Sequence, residues 1–134
     1  MAKHFAYLFS EDAEAQAGFY TRALGGEITS IKRLGELPNA TEETKDKVIH
    51  LSLVAAGVTF LMSDMMNGPV IQGNAVQQCL EFESEAEAQD AFDKLADGGT
   101  VKHPLQKEFW GAMFGQLDDK FGVQWMITTA GPGN

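Results

Sequence analysis

The chain contains a second copy of part of itself. Ala13-Glu14-Ala15-Gln16-Ala17-Gly18-Phe19 recurs as Ala86-Glu87-Ala88-Gln89-Asp90-Ala91-Phe92, and the same offset of 73 residues carries Gly25-Gly26 onto Gly98-Gly99. Alanine-rich helices converge easily, so a shared tetrapeptide means little. A Phe and a Gly pair kept in the same register mean a duplicated unit. Two modules of about residues 1–63 and 75–130 then share a chain of 134 residues, the length of one ordinary domain.

Each module reads the same way from local rules. Phe5-Ala6-Tyr7-Leu8-Phe9 is a short aromatic run of strand type, closed by Ser10-Glu11-Asp12, a cluster suited to capping a helix. Ala13 to Leu24 carries Ala17, Phe19, Tyr20, Ala23 and Leu24 at helical spacings, and Gly25-Gly26 supplies the left-handed stop. Glu27 to Leu34 reads as an edge strand and Gly35 to Lys47 as a polar loop. Val48 to Val54 alternates as a strand does, and Ala55-Ala56-Gly57 turns into a hairpin partner, Val58 to Met62. In the second module the expected elements are a strand at Gln77 to Phe82, a helix from Ser84 to Ala96 and a short strand at Val101 to His103. Two further strands follow at Phe109 to Leu117 and Val123 to Thr129. Ser84 followed by Glu87 is a capping box. Asp64 to Ala75 is the joint between the modules. The order is βαβββ, twice.

Charge removes several classes of function. Ten Lys plus Arg against 19 Asp plus Glu leave a net charge of −9, which repels phosphate backbones and anionic lipid, so neither nucleic acid nor membrane is an expected partner. The apolar runs stop well short of the roughly 20 residues that span a bilayer, and Met1-Ala2-Lys3-His4-Phe5 does not open a secretory signal. The single cysteine, Cys79, forms no internal disulfide and no CxxC motif, which suits a reducing cytoplasm. Phosphate-binding, nucleophile-elbow, HExxH and dinucleotide motifs are missing.

Phe19-Tyr20 with Leu24-Gly25-Gly26, Phe60-Leu61-Met62-Ser63-Asp64, Phe109-Trp110-Gly111 and Asp119-Lys120-Phe121-Gly122-Val123-Gln124-Trp125-Met126 give the chain a family likeness along nearly all its length. It resembles the PhnB-like branch of the vicinal oxygen chelate (glyoxalase, bleomycin resistance, dihydroxybiphenyl dioxygenase) superfamily. That resemblance implies an α+β fold in which two βαβββ modules form an incompletely closed eight-stranded, barrel-like sheet with the helices outside. It also implies a small-molecule site on the concave face and a homodimer. In metal-dependent relatives four ligands line that face. Carried over by strand register, they fall on Phe5, His50, Gln77 or its neighbour Gln78, and Met126. Only His50 is a good ligand for a hard divalent ion, with Gln77 a weak second, so no metal site is expected as written, although a ligand recruited from elsewhere in the fold would restore one.

Alternation extends the candidate wall. Tyr7 and Phe9 share a face with Phe5, Ser52 with His50, Cys79 and Glu81 with Gln77, and Gln124 and Thr128 with Met126. The opposite parity, Leu8, Leu51, Leu53, Leu80, Phe82, Val123, Trp125 and Ile127, is apolar and suited to lie under helices. Phe5, Tyr7, Ser52, Gln77, Cys79, Trp110, Gln124 and Met126 are thus the candidate ligand-binding residues. His50 and Glu81 are the candidate proton-transfer pair, against the reading that His50 is a satisfied interior polar group. His103 is expected as a solvated surface residue. Three functional classes follow: a sequestering pocket for a small organic ligand, a metal- or His-dependent enzyme of isomerase, lyase or dioxygenase type, and a groove filled by its own aromatics that serves only for interaction.

Overall fold

In a computed structural model, residues 1–131 are described, and they divide into two compact units, Met1–Ile71 and a second beginning at Gln72. In the first, β1 (Ala6–Ser10) is followed by α1 (Ala13–Leu24), β2 (Gly26–Arg33), a single 3-10 turn at Leu34–Glu36, β3 (Val48–Ala55) and β4 (Val58–Asp64). In the second, β5 (Gln78–Phe82) leads to α2 (Glu85–Ala96), β6 (Thr100–Lys107), β7 (Met113–Asp118) and β8 (Gln124–Thr129). The eight strands are hydrogen-bonded as two mixed four-stranded sheets of one topology, β1-β4-β3-β2 and β5-β8-β7-β6. In each, the first strand runs parallel to the last and the remaining pairs are antiparallel.

The helices start and stop where their local chemistry dictates. The Asp12 carboxylate accepts from the Ala15 amide at 3.1 Å, and the Ser84 hydroxyl accepts from the Glu87 amide at 3.1 Å, so each helix has a side-chain cap. At the far ends Gly25 and Gly98 hold φ of +77° and +76°. A side chain on Gly26 would run into the Val54 carbonyl, and one on Gly99 into that of Asp118. The duplication seen as a Gly pair is therefore a shared piece of backbone geometry, a left-handed stop followed by a strand that enters pressed against its neighbour.

Helix α1 buries Ala13, Ala17, Phe19, Tyr20 and Ala23 against Leu51, Leu53, Phe60 and Met62, while α2 buries Ala88, Ala91, Phe92 and Leu95 over Leu80, Leu117, Trp125 and Ile127. Gly115 of β7 leaves no room for a Cβ beneath the Phe92 ring. Two buried carboxylates tie the layers together. Asp64, at the end of β4, accepts from the Ala13 and Val48 amides, both at 2.7 Å, joining the first turn of α1 to the start of β3. Asp119 does the same work in the β7–β8 turn. It accepts from the amides of Phe121 (2.8 Å) and Val123 (3.1 Å) and from the Trp125 indole (2.8 Å).

Four details differ from the sequence reading. Asp64 belongs to β4 rather than to a linker, because both its carboxylate oxygens are bound inside the unit. The expected strand at Phe109 begins only at Met113, because Glu108 to Ala112 close a turn in which the Glu108 amide bonds the Ala112 carbonyl at 2.9 Å and Gly111 adopts φ +95°. Trp110 therefore stands on a turn and not in a strand. The short strand at His103 is eight residues long, Thr100–Lys107, and carries two register shifts.

Candidate functional site

Each sheet has a helix-covered face and an open one, and the residues segregate by parity. Leu51 and Leu53 are fully buried while the alternating His50 and Ser52 are half-buried; Trp125 and Ile127 are fully buried while Gln124, Met126 and Thr128 are half-buried. Period-two alternation alone produces this separation.

On the open face of the first unit, Phe5 just before β1 and the two aromatics of β1 alternate along the chain. Phe5, Tyr7 and Phe9 are 43%, 41% and 49% exposed, large fractions for apolar rings. Tyr7 and Phe9 lie 5.3 Å apart between ring centroids, and Tyr7 lies 5.9 Å from the His50 imidazole. The Tyr7 hydroxyl is 3.3 Å from His50 Nδ1, which fixes the ring's orientation and leaves Nε2 without a partner among the described residues. Beside His50 on β3, the Ser52 hydroxyl meets those of Thr29 (2.6 Å) and Ser30 (2.9 Å), where a register shift in β2 places both at one position. The first unit thus offers an aromatic wall, one oriented imidazole and a patch of three hydroxyls.

On the open face of the second unit, Gln116 donates from Nε2 to Gln77 Oε1 at 3.1 Å, and Gln124 donates to the Gly73 carbonyl. Cys79 stands opposite Met126 in the β5–β8 ladder and Glu81 opposite Thr128. Cys79 is exposed, and its thiol is pushed up from the ordinary value by desolvation first and by the Glu81 charge second. A raised thiol holds less thiolate at neutral pH, so Cys79 reacts with iodoacetamide more slowly than free cysteine does between pH 7 and 8. Glu81→Gln quickens it by removing the second cause. A Cys79 alkylation rate equal to that of free cysteine contradicts this.

His103 is not the solvated residue its sequence context suggested. It is half-buried, with its ring edge against Phe114 at 5.1 Å, Nδ1 2.8 Å from the Pro104 carbonyl oxygen and Nε2 3.2 Å from Glu108 Oε1. The His103–Glu108 pair holds the turn on which Phe109 and Trp110 stack edge to face, 4.9 Å apart and well exposed. The only sequence signal for this pair is an acidic residue just before Phe-Trp-Gly.

The candidate site residues divide between the units. Phe5, Tyr7, His50 and Ser52 belong to the first, and Gln77, Cys79, Glu81, Trp110, Gln124 and Met126 to the second. The four positions that hold a metal in metal-dependent relatives do not suit one here. Phe5 has no donor, Met126 offers only a soft thioether, and the Gln77 oxygen already accepts from Gln116. Among the described residues no group of three His, Cys, Asp or Glu side chains converges on a point.

Two βαβββ units with helix-backed sheets and open polar-aromatic faces define a class, and the sequence agrees with it. Residues 2–127 match the model of the Glyoxalase/Bleomycin resistance protein/Dioxygenase superfamily, and the chain belongs to that superfamily. It is similar to protein PA1353 from Pseudomonas aeruginosa (31% identity, TM-score 0.83, 96% of this chain and 98% of that one). It is similar as well to a PhnB protein from Bacillus cereus (31% identity, TM-score 0.80, 96% and 100%). Protein YjdN of Escherichia coli strain K12 is 28% identical over 130 residues, 89% of this chain and 88% of that protein. The PhnB-like resemblance read from the Phe-Trp-Gly and Asp-Lys-Phe-Gly motifs thus stands. No helix among the described residues is long and apolar enough to cross a membrane.

Proposed function

We propose that this protein binds a small organic ligand on the open faces of its sheets without a resident metal, with the Tyr7–His50 pair as the polar anchor of an aromatic wall. The observation that carries this reading is the 3.3 Å contact between Tyr7 and His50 beside an exposed aromatic row. A lone core histidine satisfies both ring nitrogens internally, whereas this one is half-buried and has no partner at Nε2 among the described residues. Phe5, Phe9 and Ser52 line the same face; the second unit by itself offers Gln77, Cys79, Glu81, Trp110, Gln124 and Met126. The enzymatic alternative uses His50 and Glu81 for proton transfer and draws on the same oriented imidazole. The same reading places the protein in the cytoplasm as a homodimer of two-module chains, supported by the single unpaired cysteine and by the free edges of β1, β2, β5 and β6.

The test combines metal analysis of untagged protein with a thermal-shift screen against a library of small aromatic and polar compounds. Substoichiometric zinc, nickel, iron and manganese, with at least one stabilising organic compound, is the expected result. His50→Ala weakens that compound about tenfold by removing one hydrogen bond from the anchor. Stoichiometric metal bound through His50 overturns the metal-free reading. A library without a single stabilising compound removes the binding function.

A further inference from the structure

The second unit contains a cleft of about 390 Å³, within the roughly 300–1,000 Å³ of ordinary ligand pockets. It opens where β5 and β8 begin and β7 ends, and carboxamides dominate its lining: Asn74, Gln77, Gln116 and Gln124. Lys102 and Asp118 stand at the same cleft with Lys102 Nζ 3.5 Å from Asp118 Oδ2, so their charges offset and the pair offers a ligand ion of either sign no net attraction. In a chain of net charge −9 this is a locally neutral, strongly hydrogen-bonding cavity, with Leu117 its apolar contribution.

Two of these amides are already turned by internal bonds. Gln116 gives an N–H to Gln77 Oε1, which leaves the Gln77 amino group and the Gln116 carbonyl at the same cleft without partners among the described residues. Gln124 gives an N–H to the Gly73 carbonyl, which leaves its own carbonyl oxygen free and pins the Gly73-Asn74 segment at the cleft. A cleft that presents an amide donor together with amide acceptors is the complement of a group that itself carries an acceptor and a donor.

We infer that this cleft recognises an uncharged amide or lactam edge, as in a cyclic imide, a pyrimidine base or a primary carboxamide. This rests on the reading that the open faces take a small ligand and adds the chemical class and the residues that select it: Gln77, Gln116 and Gln124. Aromatic anions and organic cations lose hydration in the cleft and find no net counter-charge there, because Lys102 and Asp118 already pair with each other. Simple apolar compounds leave the amides unpaired when they displace water, a loss that outweighs their own burial.

The experiment follows the side-chain amide resonances of nitrogen-15-labelled protein during separate titrations with uracil, 2-pyrrolidone, glucose, benzoate and benzylamine. Uracil and 2-pyrrolidone are expected to shift the Gln77, Gln116 and Gln124 amides saturably at millimolar concentration, while the other three do not. Gln116→Leu, whose backbone spectrum reports whether the fold is kept, weakens the lactams about tenfold. Saturable binding of glucose, benzoate or benzylamine in place of the lactams overturns the chemical class, as does unchanged lactam binding in Gln116→Leu. Probes that shift only the Tyr7–His50 face remove the cleft but keep the wider reading, and the absence of any shift with all five removes the cleft as a site.

Discussion

Replacing Asp119 with Ala lowers the stability of the protein by about 3–5 kcal/mol, measured as the shift in urea midpoint at constant slope. The carboxylate is 3% exposed and gathers three N–H donors, two from the backbone of its own turn and one from the indole of Trp125, itself fully buried. Truncation strands the buried Val123 amide and Trp125 indole without an acceptor, and the turn that sets the β7–β8 register loses its internal template. Asp119→Asn separates the two roles. Its amide oxygen still accepts from Phe121 and Val123, but its NH2 faces the Trp125 N–H donor to donor, so an intermediate cost of about 2 kcal/mol is expected together with a changed Trp125 fluorescence. An Asp119→Ala variant within about 0.5 kcal/mol of the parent would mean that the Trp125 indole and the turn amides find other acceptors.

That network also marks where sequence reasoning reached and where it stopped. The stretch from Asp119 to Met126 was recognisable as a motif, but the reason for its residues was not, because a side chain that accepts from positions two, four and six residues ahead leaves no periodic trace. Helix α1 was readable to both ends, since a capping Asp and a Gly pair are local signals that act on the adjacent backbone. The open-face parity of β1, β3, β5 and β8 was legible for the same reason, as strict alternation survives in an unbroken strand.

Strand β6 shows the opposite case. Two register shifts flank His103, so alternation counted from either end puts its side chain on the wrong face, and its pairing with Gln116 and its bond to Glu108 were not foreseeable. Phe109 and Trp110 misled in another way. Their high strand propensity suggested a strand, but Gly111 at φ +95° and the Glu108–Ala112 bond make a turn that lifts both rings into solvent. Propensity there reports which residues suit a pleated surface, and these two serve a different surface. The cleft amides fall between the two cases: Gln77 and Gln124 were placed by parity, whereas Gln116, inside a strand whose start was misjudged, was not.

The duplication itself yields the sharpest test, because it predicts that equivalent glycines fail alike. Gly26→Ala is expected to cost at least about 4 kcal/mol or to prevent folding, and Gly99→Ala to cost nearly as much. At both sites the added methyl meets a backbone carbonyl of the neighbouring strand, which cannot rotate away as a side chain does, and Gly26 adds a φ of +158°, at the margin of what an L-residue accepts. The preceding glycines differ in kind. Gly25→Ala meets no atom within 4 Å and pays only for its left-handed φ of +77°, so about 1 kcal/mol is expected. Gly98 has the same left-handed φ of +76°, but its added methyl would also come 3.2 Å from the Lys120 Cβ, so thermal melts of Gly25→Ala against Gly26→Ala separate conformational cost from collision. If Gly25→Ala and Gly26→Ala prove equal, the left-handed stop alone governs the helix–strand corner, and the close approach of β2 to Val54 contributes nothing to it.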